Sequence, residues 1–301
     1  MKKIVSIALL FVASFSFAQQ QSMYSHYMFN TLSVNPAYAG STKSLSANIL
    51  HRSQWVGITG APTTQTLIIQ GPFKNKNIGL GATVMNDKIG PVSQLILSGD
   101  FAYKLNLNEK SNLAFGLKAV FEDVSVRLAD VPDVHPNDPS FQNQLKSGFK
   151  PNFGFGLYYN SEKFYAGIST PNLIESSFSN SLVNYQHLRH FYAVAGGLFD
   201  LTSSLKLRPS MQVKYVENAP VSVDVNTYLI VKEKVWIGAM YRYSEAVGAL
   251  LQYQINDQLR FGYAYDFILN ELQSGTGGSH ELILMYDFNY NKNNFSTPRF
   301  F

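Results

Sequence analysis

Apolar and polar residues alternate along most of this chain with a period of two. Between residues 259 and 267, the large apolar residues Leu259, Phe261, Tyr263, Tyr265 and Phe267 share one face, and small or polar residues occupy the other. Such alternation is typical of β-strands with one apolar face. It recurs in about fourteen stretches, most of which have the length of about 9–11 residues that a tilted membrane-spanning strand needs. The predicted strands span residues 43–54, 62–72, 77–86, 93–106, 110–123, 149–160, 163–169, 188–201, 204–217, 220–232, 234–244, 246–256, 258–269 and 278–289.

The connections between these strands differ in length according to their order. Those after even-numbered strands are short and turn-like, whereas the long connections, residues 124–148, 170–187 and 270–279, all follow odd-numbered strands. A transmembrane β-barrel has short periplasmic turns and longer external loops. The pattern therefore predicts an all-β fold: a transmembrane antiparallel outer-membrane β-barrel of about 14 strands, with both termini on the periplasmic side.

The first 18 residues have the features of an export signal and not those of a barrel strand. Residues 1–18 combine Lys2 and Lys3 with a short apolar stretch and a small residue, Ala18, before Gln19, as in a secretory signal peptide. We divide the rest into an N-terminal aromatic segment (19–42), a barrel (43–289) and a polar tail (290–301). The chain has no cysteine, which excludes disulfides, thiolate metal sites and lipidation at a cysteine. These features predict an integral protein in the outer membrane of a Gram-negative bacterium.

Composition agrees with a protein that has one face in lipid. Charged residues make up 15%, below the roughly 25% of soluble domains, and aromatic residues make up 14%. The mean hydropathy of -0.07 is not high, as expected when the other face of each strand meets a polar lumen. Once Lys2 and Lys3 leave with the signal peptide, the excess of basic over acidic residues is too small to suggest nucleic-acid binding.

The alternation also assigns the lumenal side chains. Charges of both signs are predicted to face the lumen: Lys206, Arg208, Asp224, Arg242, Arg260, Asp266 and Glu281. Many other inward positions are glycine: Gly116, Gly154, Gly156, Gly238, Gly248 and Gly262. Glycine in a strand marks a bend or a close approach by other backbone. The glycines therefore indicate either barrel curvature or room for a plug or an inserted partner segment.

No catalytic arrangement is evident. His187 and His190 lie near Asp200, and Asp133 lies near His135, but neither set has the spacing of a metal motif. The glycine-rich stretches 79–81 and 275–278 lack the helix, lysine or acidic partner of nucleotide sites. We predict no catalytic residue, no metal site and no cofactor.

Two patches depart from the strand pattern. Residues 23–30 and 35–41 are aromatic without alternation, and Asn35-Pro36 breaks regular structure. Residues 52–58 form the first external hairpin, with Trp55 as a candidate for an interfacial girdle. The N-terminal patch is predicted to be a plug or a periplasmic docking element. The candidate partner-binding residues are Tyr24, Tyr27, Phe29, Asn35, Pro36, Tyr38, Arg52 and Trp55.

At these patches the chain resembles the PorP/SprF family of outer-membrane proteins, which is associated with the type IX secretion system. The similarity rests on the run Tyr24–Asn30 followed by residues 35–41, and it extends in order over the mature chain. Further blocks are Arg52 with Gln54-Trp55, Asn86–Pro91, Arg189–Tyr192, Lys214-Tyr215 with Ala219-Pro220, Tyr241–Tyr243, Gly262–Asp266 and Gly278–Glu281. The tail after Phe288 departs from the family, whose chains tend to end near that strand.

The resemblance implies a non-enzymatic role in export or surface attachment of proteins. The implied partners are secreted cargo or adhesins with a type IX C-terminal sorting domain, other components of that secretion system, and outer-membrane lipid. It provides no catalytic or binding residue to carry over. Two other classes stay open: a passive porin with a constriction at residues such as Lys206, Arg208 and Asp224, and an outer-membrane hydrolase. A barrel of about fourteen strands is too narrow to pass a folded domain, because open aqueous channels are typical of 16–18 strands.

Overall fold

The computed structural model describes residues 22–42, 44–74, 77–128, 144–179 and 184–288. Within this part of the chain, fourteen strands form one antiparallel barrel, as the sequence predicts. The strands are β1 (Leu45–Ser53), β2 (Thr63–Pro72), β3 (Ile78–Ile89), β4 (Val92–Asn108), β5 (Ser111–Arg127), β6 (Lys150–Ser161), β7 (Phe164–Thr170), β8 (His190–Gly197 and Phe199–Thr202), β9 (Leu205–Val216), β10 (Ser222–Val231), β11 (Val235–Arg242), β12 (Ala246–Gln254), β13 (Leu259–Ile268) and β14 (Ser279–Phe288). The short strand Gln144–Lys146 pairs with β5, and Ser176–Ser179 pairs with Asn184–His187 in a separate hairpin.

The barrel closes by pairing its first strand with its last. Leu45 lies opposite Phe288 and Ser53 lies opposite His280, while β8 pairs with both β7 and β9. Every one of the fourteen barrel strands therefore has two neighbours, so that the described barrel itself is closed, which protects strands from pairing with another chain. Within the described residues, the structure contains no helix that is long and apolar enough to cross a membrane.

Three strands, β3, β4 and β5, are longer than the sequence predicts. β4 and β5 have 17 residues each, and the turn between β3 and β4 consists of Gly90 and Pro91 alone. Gly90 has a φ of 52°, which allows so tight a reversal. Residues 124–127, predicted as loop, continue β5 because Val124 and Val126 keep the inward alternation and are buried.

The two ends of the barrel differ. The connections after even-numbered strands are short, and the three longest ones, residues 128–149, 171–189 and 269–278, follow β5, β7 and β13. We call these ends the short-turn end and the long-loop end. At the long-loop end, the β1–β2 loop bonds to the β13–β14 loop: Val56 N donates to Gly278 O at 2.9 Å, and Gly277 N donates to Val56 O at 2.7 Å.

The outer face of the barrel is apolar. Leu117 is 61% exposed and Leu251 50%, in line with many other large apolar side chains that point away from the lumen. In β9, Met211 and Tyr215 point out, while Arg208 and Lys214 are buried, as the alternation predicts. So many exposed large apolar side chains on the outer face of one barrel fit a band in contact with lipid.

The lumen is filled by the chain's own N-terminal part, residues 22–42, which we call the lumenal segment. It contains two 3₁₀ turns, Tyr27–Phe29 and Pro36–Tyr38, around the one-turn helix α1 (Thr31–Val34). Ser22 lies at the long-loop end, and Gly40 lies at the short-turn end beside Gly71 and Gly79. The segment thus runs through the whole barrel.

This path bears on the predicted termini. Ser22, the first described residue, and Phe288, the last one, lie at opposite ends of the barrel. The prediction that both termini lie on the periplasmic side concerns residues outside the described ones and stays a prediction. The predicted signal peptide (1–18) and the predicted tail (290–301) lie outside the described residues.

Candidate functional site

The lumenal segment is anchored near the long-loop end by buried charges of the wall. The backbone N–H groups of Ser25 and His26 donate to the Glu281 carboxylate at 2.8 and 2.7 Å. The Ser25 hydroxyl donates to Asp266 at 2.7 Å, and Arg52 donates to Ser25 Oγ, Asp266 and Glu281 at 2.7, 2.7 and 3.2 Å. All five residues are at most 1% exposed. Each carboxylate thus meets several donors, which offsets the cost of its burial.

An aromatic cluster holds the middle of the segment. The ring of Phe29 packs against Trp236 and Tyr228, with centroids 5.8 and 6.1 Å apart. The guanidinium groups of Arg208 and Arg260 lie 4.9 and 5.7 Å from the Phe29 ring centroid, within the range of cation–π attraction. Phe29 therefore links the segment to the wall through both apolar and charged side chains.

Polar side chains of the wall form hydrogen bonds with backbone carbonyl groups of the irregular lumenal segment. Asn226 and Asn48 donate to the carbonyl oxygens of Ser25 and Phe29, both at 2.8 Å. Lys118 Nζ donates to the carbonyl of Leu32 at 3.1 Å and lies 2.8 Å from an Asp100 oxygen. Buried backbone groups without such partners are costly, so these inward residues make the irregular path possible.

Asn35 and Pro36 determine the path of the part of the segment that lies toward the short-turn end. Asn35 Oδ1 accepts from Ala37 N at 3.0 Å and caps the second 3₁₀ turn, while Asn35 Nδ2 donates to the Leu157 carbonyl at 3.0 Å. Tyr38 packs edge-on against Tyr158 at 5.3 Å. Asn35 and Pro36, which disfavour a strand, thus give the chain a compact 3₁₀ turn inside the lumen.

Several inward glycines leave space for this path. A Cβ at Gly116 would overlap the backbone of Pro36 and Ala37, and one at Gly156 would overlap the Asn35 side chain. Gly154 faces the backbone of Pro171 instead, whereas a Cβ at Gly238 would meet the Tyr228 ring. Room for the segment thus explains part of the glycine pattern, and contacts with other wall and loop groups explain the rest.

The structure brings most of the singled-out residues together. Tyr24, Tyr27, Phe29, Asn35, Pro36, Tyr38 and Arg52 are buried in the lumen, and Trp55 lies half-buried at the long-loop end. They contact the barrel wall, so their role toward a partner stays a prediction. Of the candidate lumen residues, Arg208, Asp224, Arg242, Arg260, Asp266 and Glu281 are buried. Lys206 is instead partly exposed near the short-turn end, where it pairs with Glu233 at 2.7 Å.

Sequence reasoning missed several residues that hold the segment. Ser25, His26, Asn48, Lys118 and Trp236 are all buried contacts of the site. Asn48, Lys118 and Trp236 occupy inward positions of their strands, so the alternation could have found them. Ser25 and His26 lie in a run without alternation, which gave no indication of their partners.

A cavity of about 580 Å³ lies above the segment at the long-loop end, and we call it the vestibule. Ser22 and Met23 line it together with Trp55, Ile89 and Glu245. His187 and His190 also line it, and His187 Nδ1 lies 3.0 Å from Glu122. Within the described residues, no group of three His, Cys, Asp or Glu side chains is placed to hold a metal ion. Asp133 and His135 lie outside the described residues.

Comparison with known proteins identifies relatives of this barrel. The family described as "Type IX secretion system membrane protein PorP/SprF" matches residues 16–286. No curated protein matches the chain.

Among solved structures, the Acinetobacter baumannii outer membrane protein Omp33 is similar at 11% identity and a TM-score of 0.46, over 81% of this chain and 99% of that one. A Pseudomonas aeruginosa FadL homologue reaches 12% identity and 0.48, over 85% and 93%. The P. putida toluene transporter TodX reaches 10% and 0.49, over 87% and 95%.

Proposed function

Because the chain belongs to the PorP/SprF family of type IX secretion system membrane proteins, we propose that it is a non-enzymatic outer-membrane component of that system. In this role it supports the export or surface anchoring of cargo proteins such as large adhesins. Its partners are cargo with a type IX C-terminal sorting domain, other components of the secretion system, and outer-membrane lipid.

The observation that carries this proposal is the filled lumen. A conducting porin keeps a polar, water-filled path along its axis, whereas here the lumenal segment runs from one end of the barrel to the other. Its side chains Tyr27, Phe29 and Tyr38 are each at most 6% exposed. A sealed barrel suits a protein that holds a partner at its rim while a separate pore carries the cargo across.

The orientation follows the general rule for such barrels. Short turns face the periplasm and long loops face outward, so the vestibule opens to the cell exterior in this proposal. Cargo that has already crossed the membrane would meet the long loops first. The half-buried Trp55 and the exposed Leu272 at that end offer apolar contacts to it.

The test is a proteomic comparison of cell surface and medium between the host and a strain lacking this gene. We expect selective loss of one or a few large proteins with C-terminal sorting domains. Loss of all such proteins would place the protein in the core machinery instead. An unchanged surface proteome would contradict the proposal.

The alternative is a passive porin, and liposome swelling with the purified protein separates the two. We expect sugar-sized solutes to enter no faster than into empty liposomes, because the segment occupies the lumen from one end of the barrel to the other. Rapid swelling would favour the porin.

A further inference from the structure

The vestibule has the size and the walls of a ligand site. Its volume of about 580 Å³ lies within the range of about 300–1,000 Å³ that is typical of ligand pockets. Ser22 and Met23, at the start of the lumenal segment, line it, and the segment fills the lumen beyond them. A ligand that enters from the long-loop end is therefore held there and not passed through. Apolar side chains form much of the remaining wall: Trp55, Pro62, Ile89, Val92, Leu188 and Ile268.

The charged side chains that line the vestibule are of both signs. In the part of the chain that the structure describes, they comprise two basic and two acidic residues: Arg52, Arg242, Asp87 and Glu245. Each arginine already has carboxylate partners. Arg52 lies 2.7 Å from Asp266 and 3.2 Å from Glu281, and Arg242 lies 2.8 Å from Asp224 and 3.8 Å from Glu245. The wall thus lacks the single dominant sign of charge that a site for an ionic ligand would present.

Two buried polar atoms of this wall have no hydrogen-bond partner among the described residues. His190 is 2% exposed, and its Nδ1 lies 2.8 Å from the Leu188 carbonyl oxygen. Because a carbonyl oxygen only accepts, Nδ1 carries the proton, and Nε2 of the neutral ring is an acceptor. This Nε2 has no partner, and neither has the Nε–H donor of Arg52, which is 1% exposed. Both residues line the vestibule, so a ligand can supply a donor to one and an acceptor to the other.

A hydroxyl group matches this pair of atoms, because it both donates and accepts hydrogen bonds. An ionised carboxylate only accepts, and an ammonium group only donates. The lining contains further neutral side chains with amide or hydroxyl groups: Ser22, Gln54, Gln94, Asn270 and Ser279. The half-buried Trp55 adds a large apolar ring at the rim, which can cover the C–H face of a sugar ring. Several hydroxyl groups on a carbon frame with apolar faces are the chemistry of a carbohydrate.

We propose that the vestibule binds a neutral carbohydrate. One sugar hydroxyl donates to His190 Nε2, Arg52 Nε donates to a hydroxyl oxygen, and Trp55 packs on a C–H face. This site is a property of the fold and goes beyond the secretion role proposed above. Only its position on the cell exterior rests on that role.

The test uses the purified full-length protein in detergent on an array of short oligosaccharides. The array carries neutral and acidic chains side by side, together with short peptides whose ends are capped. We expect at least one neutral oligosaccharide to bind, and its acidic analogue and the peptides to bind at least about tenfold more weakly. Tighter binding of acidic chains or of peptides would overturn the proposal, as would an array on which no neutral oligosaccharide binds.

Two variants connect the binding to the vestibule. Trp55→Ala removes the ring, whereas His190→Asn keeps an amide N–H that can donate to the Leu188 carbonyl but lacks Nε2. We expect each to weaken binding of the selected sugar by about tenfold or more. Gln273→Ala, in an exposed loop at the same end, is the matched control and should bind as the natural chain does. A heat-dependent shift in gel mobility shows that each variant is folded, and unchanged affinity in either vestibule variant would overturn the assignment.

The O-methylated form of the selected sugar tests the role of the hydroxyl. It keeps the carbon frame and the acceptor oxygens but has no O–H group to donate to His190 Nε2. We expect it to bind at least about tenfold more weakly, and equal binding would contradict the role of Nε2. These measurements test the vestibule alone, while the surface proteome tests the secretion role, so that each proposal can fail without the other.

Discussion

At the residue scale, Glu281 is the point where three parts of the chain meet. It lies on β14, faces Arg52 across the β1–β14 seam, and accepts the backbone N–H groups of Ser25 and His26. A carboxylate without any exposure is costly unless charge and hydrogen bonds compensate it. Closure of the barrel and seating of the lumenal segment therefore depend on the same side chain.

Replacing Glu281 by Gln tests this dependence. The amide keeps the size but turns one acceptor into a donor that faces Ser25, Arg52 or His26. Arg52 then keeps Ser25 Oγ and, as its one remaining carboxylate, Asp266. We expect the free energy of unfolding to fall by about 3–5 kcal/mol. The measurement is the temperature at which the folded barrel changes its gel mobility, which should be lower in this variant. Glu271→Gln, on an exposed loop, is the matched control. Equal transition temperatures for both variants would contradict this assignment.

A second prediction concerns the effect of a side chain at Gly116. A Cβ there meets the backbone of Ala37, whereas Gly99 on the neighbouring strand has open space around it. We expect Gly116→Val to cost about 1–3 kcal/mol by overpacking and to speed cleavage of the segment by added protease. Gly99→Val should leave both unchanged. Protection of the segment in Gly116→Val equal to that of the natural chain would show that the segment does not rest on β5.

At the scale of elements, the period of two explains why so much of the wall was predictable. Each strand of a barrel has one lipid face and one lumen face. The alternation in a run such as residues 259–267 therefore indicates which side chains face lipid and which face the lumen. Strand ends were less predictable. β3, β4 and β5 continue past their predicted ends, because alternation persists in β4 and β5 and because Gly90 allows a two-residue turn between β3 and β4. The sequence alone does not show where a strand ends and a short turn begins, because that boundary depends on which residues pair across the two strands.

The lipid face can be tested at Leu251, which lies in mid-strand on β12 and is 50% exposed. We expect Leu251→Arg to hinder insertion by about 2–4 kcal/mol, since a charge at the bilayer midplane is poorly solvated. Tyr243→Arg, just past the end of β11, should cost about 0–1 kcal/mol near the interface. The measurement is the folded fraction in urea titrations with lipid vesicles. Similar midpoints would mean that β12 does not face lipid as assigned.

At the scale of the whole molecule, the sequence indicated the closed wall, but it did not decide whether the N-terminal segment fills the lumen as a plug or docks in the periplasm. The inward glycines were compatible with curvature as well as with a plug, and only the pairing of distant residues separates the two. Gly116 and Gly156 face Asn35, Pro36 and Ala37, residues about 80 to 120 positions earlier in the chain. Alternation is a local signal and carries no information on such contacts. The same limit explains why the entry of the segment at the long-loop end was not foreseen.

Deleting residues 23–41 tests the molecule as a sealed unit. The wall retains all of its strand pairing, but Glu281, Asp266, Asn48 and Asn226 lose their partners in the segment and face water instead. We expect the barrel to insert and to admit small solutes in liposome swelling, while the surface level of its cargo falls. Deletion of the exposed loop residues 271–275 is the control and should leave the lumen closed. A deleted barrel that inserts but stays impermeable would show that side chains of the wall close the lumen by themselves; one that never inserts would show that the wall folds around the segment as a template.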